Sequence, residues 1–195
     1  MSAFEIRPST EGDAAAILRL VETAFGDEGA KVVAVWEEVL ARGLARAQLV
    51  AVDADDTDEV VGHVGLSHAW LDARSELIDI LVLSPLSVVP DRQGTGIGAA
   101  LLAAAVAEGE RLGAPVVVLE GDPGYYARHG WAPASSYGIE APSHRIPGPA
   151  FQVVALRGHE AWMTGRVVYR DVWWEHDAAG LRDPVLAQVE MSLPD

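Results

Sequence analysis

The run Gln93-Gly94-Thr95-Gly96-Ile97-Gly98, followed by Ala99, is where residue types and spacing point to chemistry. It joins a largely apolar stretch that ends at Pro90 to an Ala- and Leu-rich segment reading as a helix to Leu112. Unpaired N–H groups at a helix start, at the positive end of the macrodipole, attract phosphate, and glycines let that phosphate approach the main chain. A pyrophosphate is the natural guest. No lysine follows the glycines, so a phosphate-loop nucleotide hydrolase is not supported. Gly94-x-Gly96-x-x-Ala99 also approximates a dinucleotide-binding fingerprint, and Glu120 ends the next strand about 20 residues on, where a ribose-binding acid would stand. Against that alternative, Pro90 to Gln93 separate the strand from the first glycine, and no further alternation of strands and helices follows Glu120.

Other clusters carry less. His159-Glu160 begins like a zinc-protease helix, but Met163 stands where the second histidine belongs, and the other histidines lack ligand spacing, so no metal site is expected. Gly65-Leu66-Ser67-His68-Ala69 resembles a nucleophile elbow without its last glycine or a following helix. Trp36, Trp70 and Trp162 read as packing residues. Trp173 and Trp174 are adjacent and cannot both face one side of a strand, so they read either as a packed tail, the favoured alternative, or as one ring exposed at a substrate mouth or a dimer contact.

The elements around the glycine run follow from periodicity. Phe4 to Arg7 alternates as a strand, and Thr10 and Asp13 signal a helix through Ile17, Leu20, Val21 and Phe25. A second amphipathic helix fits Ala30 to Leu40. Gln48 to Val52 and Val60 to Ser67 read as strands joined by the acidic turn Asp53 to Glu59, and Leu77 to Val89 as a central strand. After the glycine run and its helix, Gly113-Ala114-Pro115 is a stop and Val116 to Leu119 a buried strand. Asp122-Pro123 has the form of an N-cap with proline at the first helical position, opening a short helix through Tyr125 and Tyr126 that Gly130 ends. Trp131 to Ala150, with little periodicity, reads as a long ordered loop of the kind that is more often functional than idle. Phe151 to Leu156 and Arg166 to Tyr169 are closing strands, and the tail from Trp173 gives weak signals.

Composition bounds the rest. The chain has 195 residues, half of them apolar, enough for one domain over residues 1–195 with a single core. Lys and Arg number 14 against 29 Asp and Glu, a net charge of −15, which disfavours nucleic acid because phosphate-backbone binding relies on clustered cations. The acidic field weakly favours a cationic small molecule or peptide. No apolar run reaches the roughly 20 residues of a membrane span, and Met1 to Pro8 has no secretory pattern, so a cytoplasmic protein without membrane association is expected. There is no cysteine, so any thiol must come from a cosubstrate.

Taken together, these residues resemble the GCN5-related N-acetyltransferases. The family pattern Gln/Arg-x-x-Gly-x-Gly/Ala is matched by Gln93, Gly96 and Gly98, and Leu86-Ser87-Val88-Val89-Pro90 is similar to its splayed central strand. Tyr125-Tyr126-Ala127-Arg128-His129-Gly130-Trp131 is similar to its later Tyr-x-x-x-Gly-Phe element, with Trp131 in place of Phe. Gly121-Asp122-Pro123 and the Gly165 to Tyr169 stretch resemble a bacterial subgroup of predicted acetyltransferases called YhbS-like.

The resemblance implies an α/β fold with one mixed, mostly antiparallel central sheet flanked by helices, its two central strands splayed. It implies acetyl-CoA as cosubstrate, the backbone of Val88 and Val89 pairing with the pantetheine arm, and Gln93, Gly94, Thr95, Gly96, Ile97, Gly98 and Ala99 holding the pyrophosphate. Tyr126 falls where many members place the acid that protonates the departing thiolate, with Tyr125 the neighbouring alternative. A phenol of pKa about 10 suits that task. No base carries over, because Val82 and Leu83 stand where histone-type members have glutamate, and Glu76, Asp79 and Glu120 are merely nearby acids. The implied reaction is acetyl transfer to a small-molecule or peptide amine by direct attack in a ternary complex, since no cysteine exists to carry an acyl-enzyme. The helices from Asp13 to Leu40 and the loop from Trp131 to Ala150 would wall the acceptor. A non-catalytic acyl-CoA sensor or scaffold is the alternative, and a homodimer is the default assembly.

Overall fold

A computed structural model describes residues 4–55, 59–180 and 191. They fall into two compact units, one drawn from Met1–Ser67 and Leu83–Glu108, the other from His68–Val82 and Gly109–Asp195.

In the first unit, β1 (Phe4–Pro8) lies antiparallel to β2 (Ala45–Asp53), with Phe4 opposite Asp53 and Pro8 opposite Leu49. β2 lies antiparallel to β3 (Val60–Ala73), which contributes its residues through Ser67 here. The later half of β4 (Leu77–Val88), from Leu83 onward, adds the fourth strand, and the Val89 N–H donates to the Val61 carbonyl at 3.0 Å. α1 (Ala14–Phe25) buries Ile17, Leu20 and Val21, one face at helical spacing. It begins where expected because the Thr10 N–H and hydroxyl both donate to the Asp13 carboxylate, at 2.6 and 2.9 Å, and Arg7 clamps that carboxylate in a fork at 2.8 and 2.9 Å. These donors, the Arg7 guanidinium first, hold the Asp13 carboxyl well below the usual carboxylate range.

α2 (Gly29–Ala41) seats Trp36 directly on β3: a Cβ at Gly65 would lie 2.4 Å from its Cη2, so only glycine fits there. The indole N–H donates to Gln48 Oε1 at 2.7 Å, and His63 Nε2 lies 3.2 Å from the same oxygen. α3 (Ile97–Arg111) rests on the other face of β3, where a Cβ at Gly62 would meet Ile97 and Leu101 at 2.8 and 2.9 Å. Gly62 and Gly65 differ by an odd step, which puts their two neighbours on opposite faces.

In the second unit, β4 pairs in parallel with β5 (Val116–Glu120) at Leu81 opposite Val117 and Val82 opposite Val118, although β4 runs on to Val88 and β5 to Glu120. α4 (Pro123–Tyr126), β6 (Ala132–Pro133) and β7 (Ile139–Glu140) follow. β8 (Phe151–Ala155) lies antiparallel to β5 over five pairs and also carries β6. β9 (Gly165–Val168) lies antiparallel to β3 and parallel to β7, and α5 (Asp171–Glu175) comes after it. The whole is the α/β architecture expected: a mixed, largely antiparallel sheet with helices against it.

Several readings need correction. β3 continues past Ser67 to Ala73, so Gly65 to Ala69 is plain strand with no elbow. Six of its last residues pair or pack within the second unit, which no local signal in the sequence marks. Trp162 is 41% exposed, with its indole N–H donated to Glu160, and so is no core residue, whereas Trp36 is buried. Trp173 is buried and Trp174 exposed, as expected of one of the pair, but on α5 rather than a strand. The acidic turn includes residues 56–58, and the C-terminal tail includes residues 181–190 and 192–195; these lie outside the described residues.

Candidate functional site: a glycine loop and a tyrosine turn

In the first unit the glycine run leaves β4 through Val89 and a single 3-10 turn, Pro90–Arg92, and enters α3 at Ile97. Gly94 and Gly96 sit at φ +73° and +98°, in the region that disfavours side chains, and a Cβ on either would meet nothing within 4 Å. The main chain of the loop is therefore bare on its outer side. Ala100 N–H is the first to find a helical acceptor, the Gly96 carbonyl at 3.0 Å, so the N–H groups of Ile97, Gly98 and Ala99 precede the helical ladder. Ile97 is fully buried and roots the helix start, while Gly98 and Ala99 are half-buried. Gln93 turns back, its Nε2 donating to the Val88 carbonyl at 3.2 Å, and Thr95 Oγ1 donates to the Arg92 carbonyl at 2.6 Å. An exposed backbone arc at the start of a 15-residue helix fits a pyrophosphate.

The edge of β4 has a parity that the sequence alone did not reveal. Val89 N–H is committed to β3, and main-chain polar groups alternate sides along a strand, so those of Leu86 and Val88 face away from β3. Val88 and Val89 are thus not equivalent.

The second unit carries the tyrosine turn. Asp122 caps α4 by accepting the Gly124 N–H at 2.8 Å, Pro123 stands at the first helical position, and Gly130, left-handed at φ +84°, ends the following turn, as the residue types require. Tyr126 is wedged over Gly121 at the end of β5: a Cβ there would lie 2.2 Å from Tyr126 Cε2. Its ring also meets Tyr125 and Trp131 edge-on, at 5.1 and 6.0 Å. Tyr125 sits against His129 and Arg128, and burial raises its phenol above the ordinary value while Arg128 opposes the shift.

Two of the acids near the strands, Glu120 and Asp79, are otherwise engaged, and Glu76 is exposed. Glu120 accepts the Tyr169 hydroxyl on one oxygen and the Gly180 N–H on the other, each at 3.0 Å, and burial beside that carboxylate pushes the Tyr169 phenol up. That use leaves Glu120 poorly suited to a ribose. Asp79 holds His68 Nε2 at 2.8 Å, and Arg170, stacked over Trp70 at 4.4 Å, reaches His68 Nδ1 at 3.2 Å. Val82 and Leu83 are buried and apolar. Among the described residues no three His, Cys, Asp or Glu converge as metal ligands, and no helix is long and apolar enough to cross a membrane. The loop from Trp131 to Ala150 borders a cleft of about 420 Å³ whose lining includes Ser135, Glu140, His144, Phe151 and Arg166. Arg166 and Glu140, register partners on β9 and β7, pair at 2.6 Å in that lining.

Comparison with known proteins bears on the family and the fold. The family described as "Acetyltransferase (GNAT) domain" matches residues 5–134, a span that takes in both the glycine loop and the tyrosine turn. The uncharacterized N-acetyltransferase YhbS of Escherichia coli K12 is 30% identical over 170 residues, covering 85% of this chain and 96% of that one. In fold, the crystal structure of E. coli YhbS in complex with CoA aligns with a TM-score of 0.75 at 24% identity, covering 89% of this chain and 93% of that one. A GNAT-family acetyltransferase from Brucella melitensis, in complex with acetyl-CoA, aligns with a TM-score of 0.69 at 27% identity, covering 89% of this chain and 99% of that one. With two thirds of its length inside the family match and a full-length relative at this identity, the chain belongs to the GNAT family of N-acetyltransferases as a YhbS-like member.

Proposed function

We propose that this protein, acting in the cytoplasm as one acetyltransferase domain over residues 1–195, transfers an acetyl group from acetyl-CoA to the amine of a small molecule or peptide by direct attack. The observation that carries this reading is the bare glycine arc ahead of α3, with both Gly94 and Gly96 open to approach. It has the shape and polarity for a pyrophosphate. Acetyl-CoA supplies an activated thioester carbonyl, and the chain's residues bind and orient it. Gln93 to Ala99 offer backbone N–H groups to the pyrophosphate. Val88, with Leu86, presents the β4 edge to the pantetheine amides, and Val89 anchors that edge to β3. Tyr126 Oη holds the proton that the leaving sulfur takes up. Its support is the packing on Gly121, which seats the ring at the end of β5; Tyr125, packed against His129 and Arg128, is the neighbouring alternative. No side chain is assigned as base; the amine loses its proton to water or arrives partly deprotonated. The cleft along the loop from Trp131 to Ala150 is the proposed wall for the acceptor, and its mixed Glu140 and Arg166 lining suits a polar one. A homodimer is the assembly proposed.

The apolar burial of Val82 and Leu83, where a base is absent, favours one second reading, an acyl-CoA sensor without turnover. Calorimetric titration with acetyl-CoA and separately with NAD and NADP comes first: micromolar binding of acetyl-CoA alone is expected, and binding of a dinucleotide alone would overturn the proposal. Thiol release over a panel of amines then separates enzyme from sensor. Tyr126→Phe is expected to lower turnover by about 10²–10⁴-fold, the range of a general acid, with acetyl-CoA affinity unchanged.

A further inference from the structure

Arg92 lies beside the glycine run but outside its motif, and its side chain points away from the loop to a residue 39 positions earlier in the chain. Its Nη1 donates to Asp53 Oδ2 at 2.8 Å, and both side chains are largely withdrawn from water, 22% and 9% exposed. Asp53 is a firm post. It ends β2, its N–H donates to the Glu59 carbonyl at 3.0 Å, and its other carboxylate oxygen accepts the Asp55 N–H at 2.8 Å. On the other side, the main chain of Arg92 is part of the loop: its N–H donates to Val89 O at 2.9 Å and its carbonyl accepts Thr95 Oγ1 at 2.6 Å. A connected path therefore runs from the end of β2 through one ion pair to the residue between Gly94 and Gly96.

We infer that Asp53 and Arg92 are positioning residues for the pyrophosphate: the pair braces the glycine loop in its binding shape from the β2–β3 side. The physical need is plain. A loop with two glycines in left-handed conformation has many alternatives, and each would be regained as entropy if the loop were released. Side chains within the loop hold it only to its own neighbourhood, Thr95 Oγ1 to the Arg92 carbonyl and Gln93 Nε2 to the Val88 carbonyl, and Gly94, Thr95 and Gly96 are all exposed. A cation at Arg92 that is already paired contributes little direct attraction for phosphate, and losing Asp53 leaves that cation partly buried without its partner. The brace and a direct phosphate contact by Arg92 thus predict opposite signs for Asp53→Asn. A brace loosens and affinity falls; a freed guanidinium attracts the anion and affinity rises.

This inference rests on acetyl-CoA being the ligand of the loop. The test measures acetyl-CoA affinity by calorimetry for the wild type, Asp53→Asn, Arg92→Gln and the double variant, with S-acetylpantetheine, which lacks the pyrophosphate, followed by ligand-observed NMR. Thermal melting of each variant runs alongside. The expected result is about a tenfold loss of acetyl-CoA affinity in each single variant, no further loss in the double, as for a coupled pair, and unchanged S-acetylpantetheine binding. Arg92→Lys, which keeps a cation for Asp53, restores part of the loss. Unchanged or tightened acetyl-CoA binding in Asp53→Asn, equal weakening of both ligands, or fully additive losses would overturn the brace while leaving the proposed function standing. Failure of the wild type to bind acetyl-CoA would overturn both.

Discussion

The glycine loop and the tyrosine turn hold functional groups in different ways. Between Gln93 and Ala99 the groups proposed to face the ligand are main-chain N–H donors, and the residues matter for what they lack: among the described residues no side chain stands over Gly94 or Gly96. At Pro123 to Trp131 the group of interest is one phenol, and it is placed by what surrounds it, the bare Gly121 beneath and the rings of Tyr125 and Trp131 beside it. A glycine serves in both, for unrelated reasons. In the loop it permits a backbone conformation and an approach from outside; at Gly121 it makes room for a neighbour from inside. A site made of backbone is robust to most side-chain changes and sensitive to conformation, whereas a site made of one side chain is sensitive to its packing.

Substitutions at those glycines break the comparison most directly. Gly96→Val places a branched side chain at φ +98°, a conformation worth about 1–3 kcal/mol of strain, so the loop is expected to leave its shape and acetyl-CoA affinity to fall by about tenfold or more in calorimetry. Gly121→Ala brings a methyl to 2.2 Å from Tyr126, and the expected result is a loss of about 1–3 kcal/mol in denaturant titration with reduced turnover and near-normal acetyl-CoA affinity. If both variants damaged binding and turnover alike, the contrast between the two regions would be lost. Tyr125→Phe sharpens the second region: turnover is expected to stay within about threefold of wild type, far from the effect of Tyr126→Phe, and the reverse ranking would move the acid to Tyr125.

A smaller effect concerns the packing of α2 on β3, where His63 meets Trp36 edge-on. Burial lowers the His63 pKa from 6.5 to about 3, so the folded protein binds fewer protons at this site than the unfolded chain between those values. Its contribution to stability is complete above pH 6.5 and declines as pH falls through that window toward 3. His63→Gln is accordingly expected to flatten the dependence of melting temperature on pH between 6.5 and 3, even though the variant is less stable at neutral pH. An unchanged slope would show that His63 does not drive it.

What was legible in the sequence follows the same division. The glycine run, the cap at Asp122-Pro123 and the left-handed stop at Gly130 are local conformational signals, and each appears where residue type required it. β1, α1, α2, β5, β8 and β9 were legible from periodicity within a residue or two at most ends. The missed features are long-range. β3 runs past Ser67 because strands from both units pair with it, the Trp162 ring stays exposed with its N–H on Glu160, and the Asp53–Arg92 pair joins residues whose separation has no period to betray it.

By itself the sequence pointed to the family, a candidate anion-binding loop and a candidate phenol, because short motifs encode backbone conformation and caps through local sterics. The tertiary structure alone decided which edge of β4 is open, that Glu120 is consumed by Tyr169 and Gly180, that Gly121 exists for Tyr126, and that the loop is tied to β2. These depend on which distant residues meet, and a strand's partners and a carboxylate's donors are settled only when the chain has folded around them.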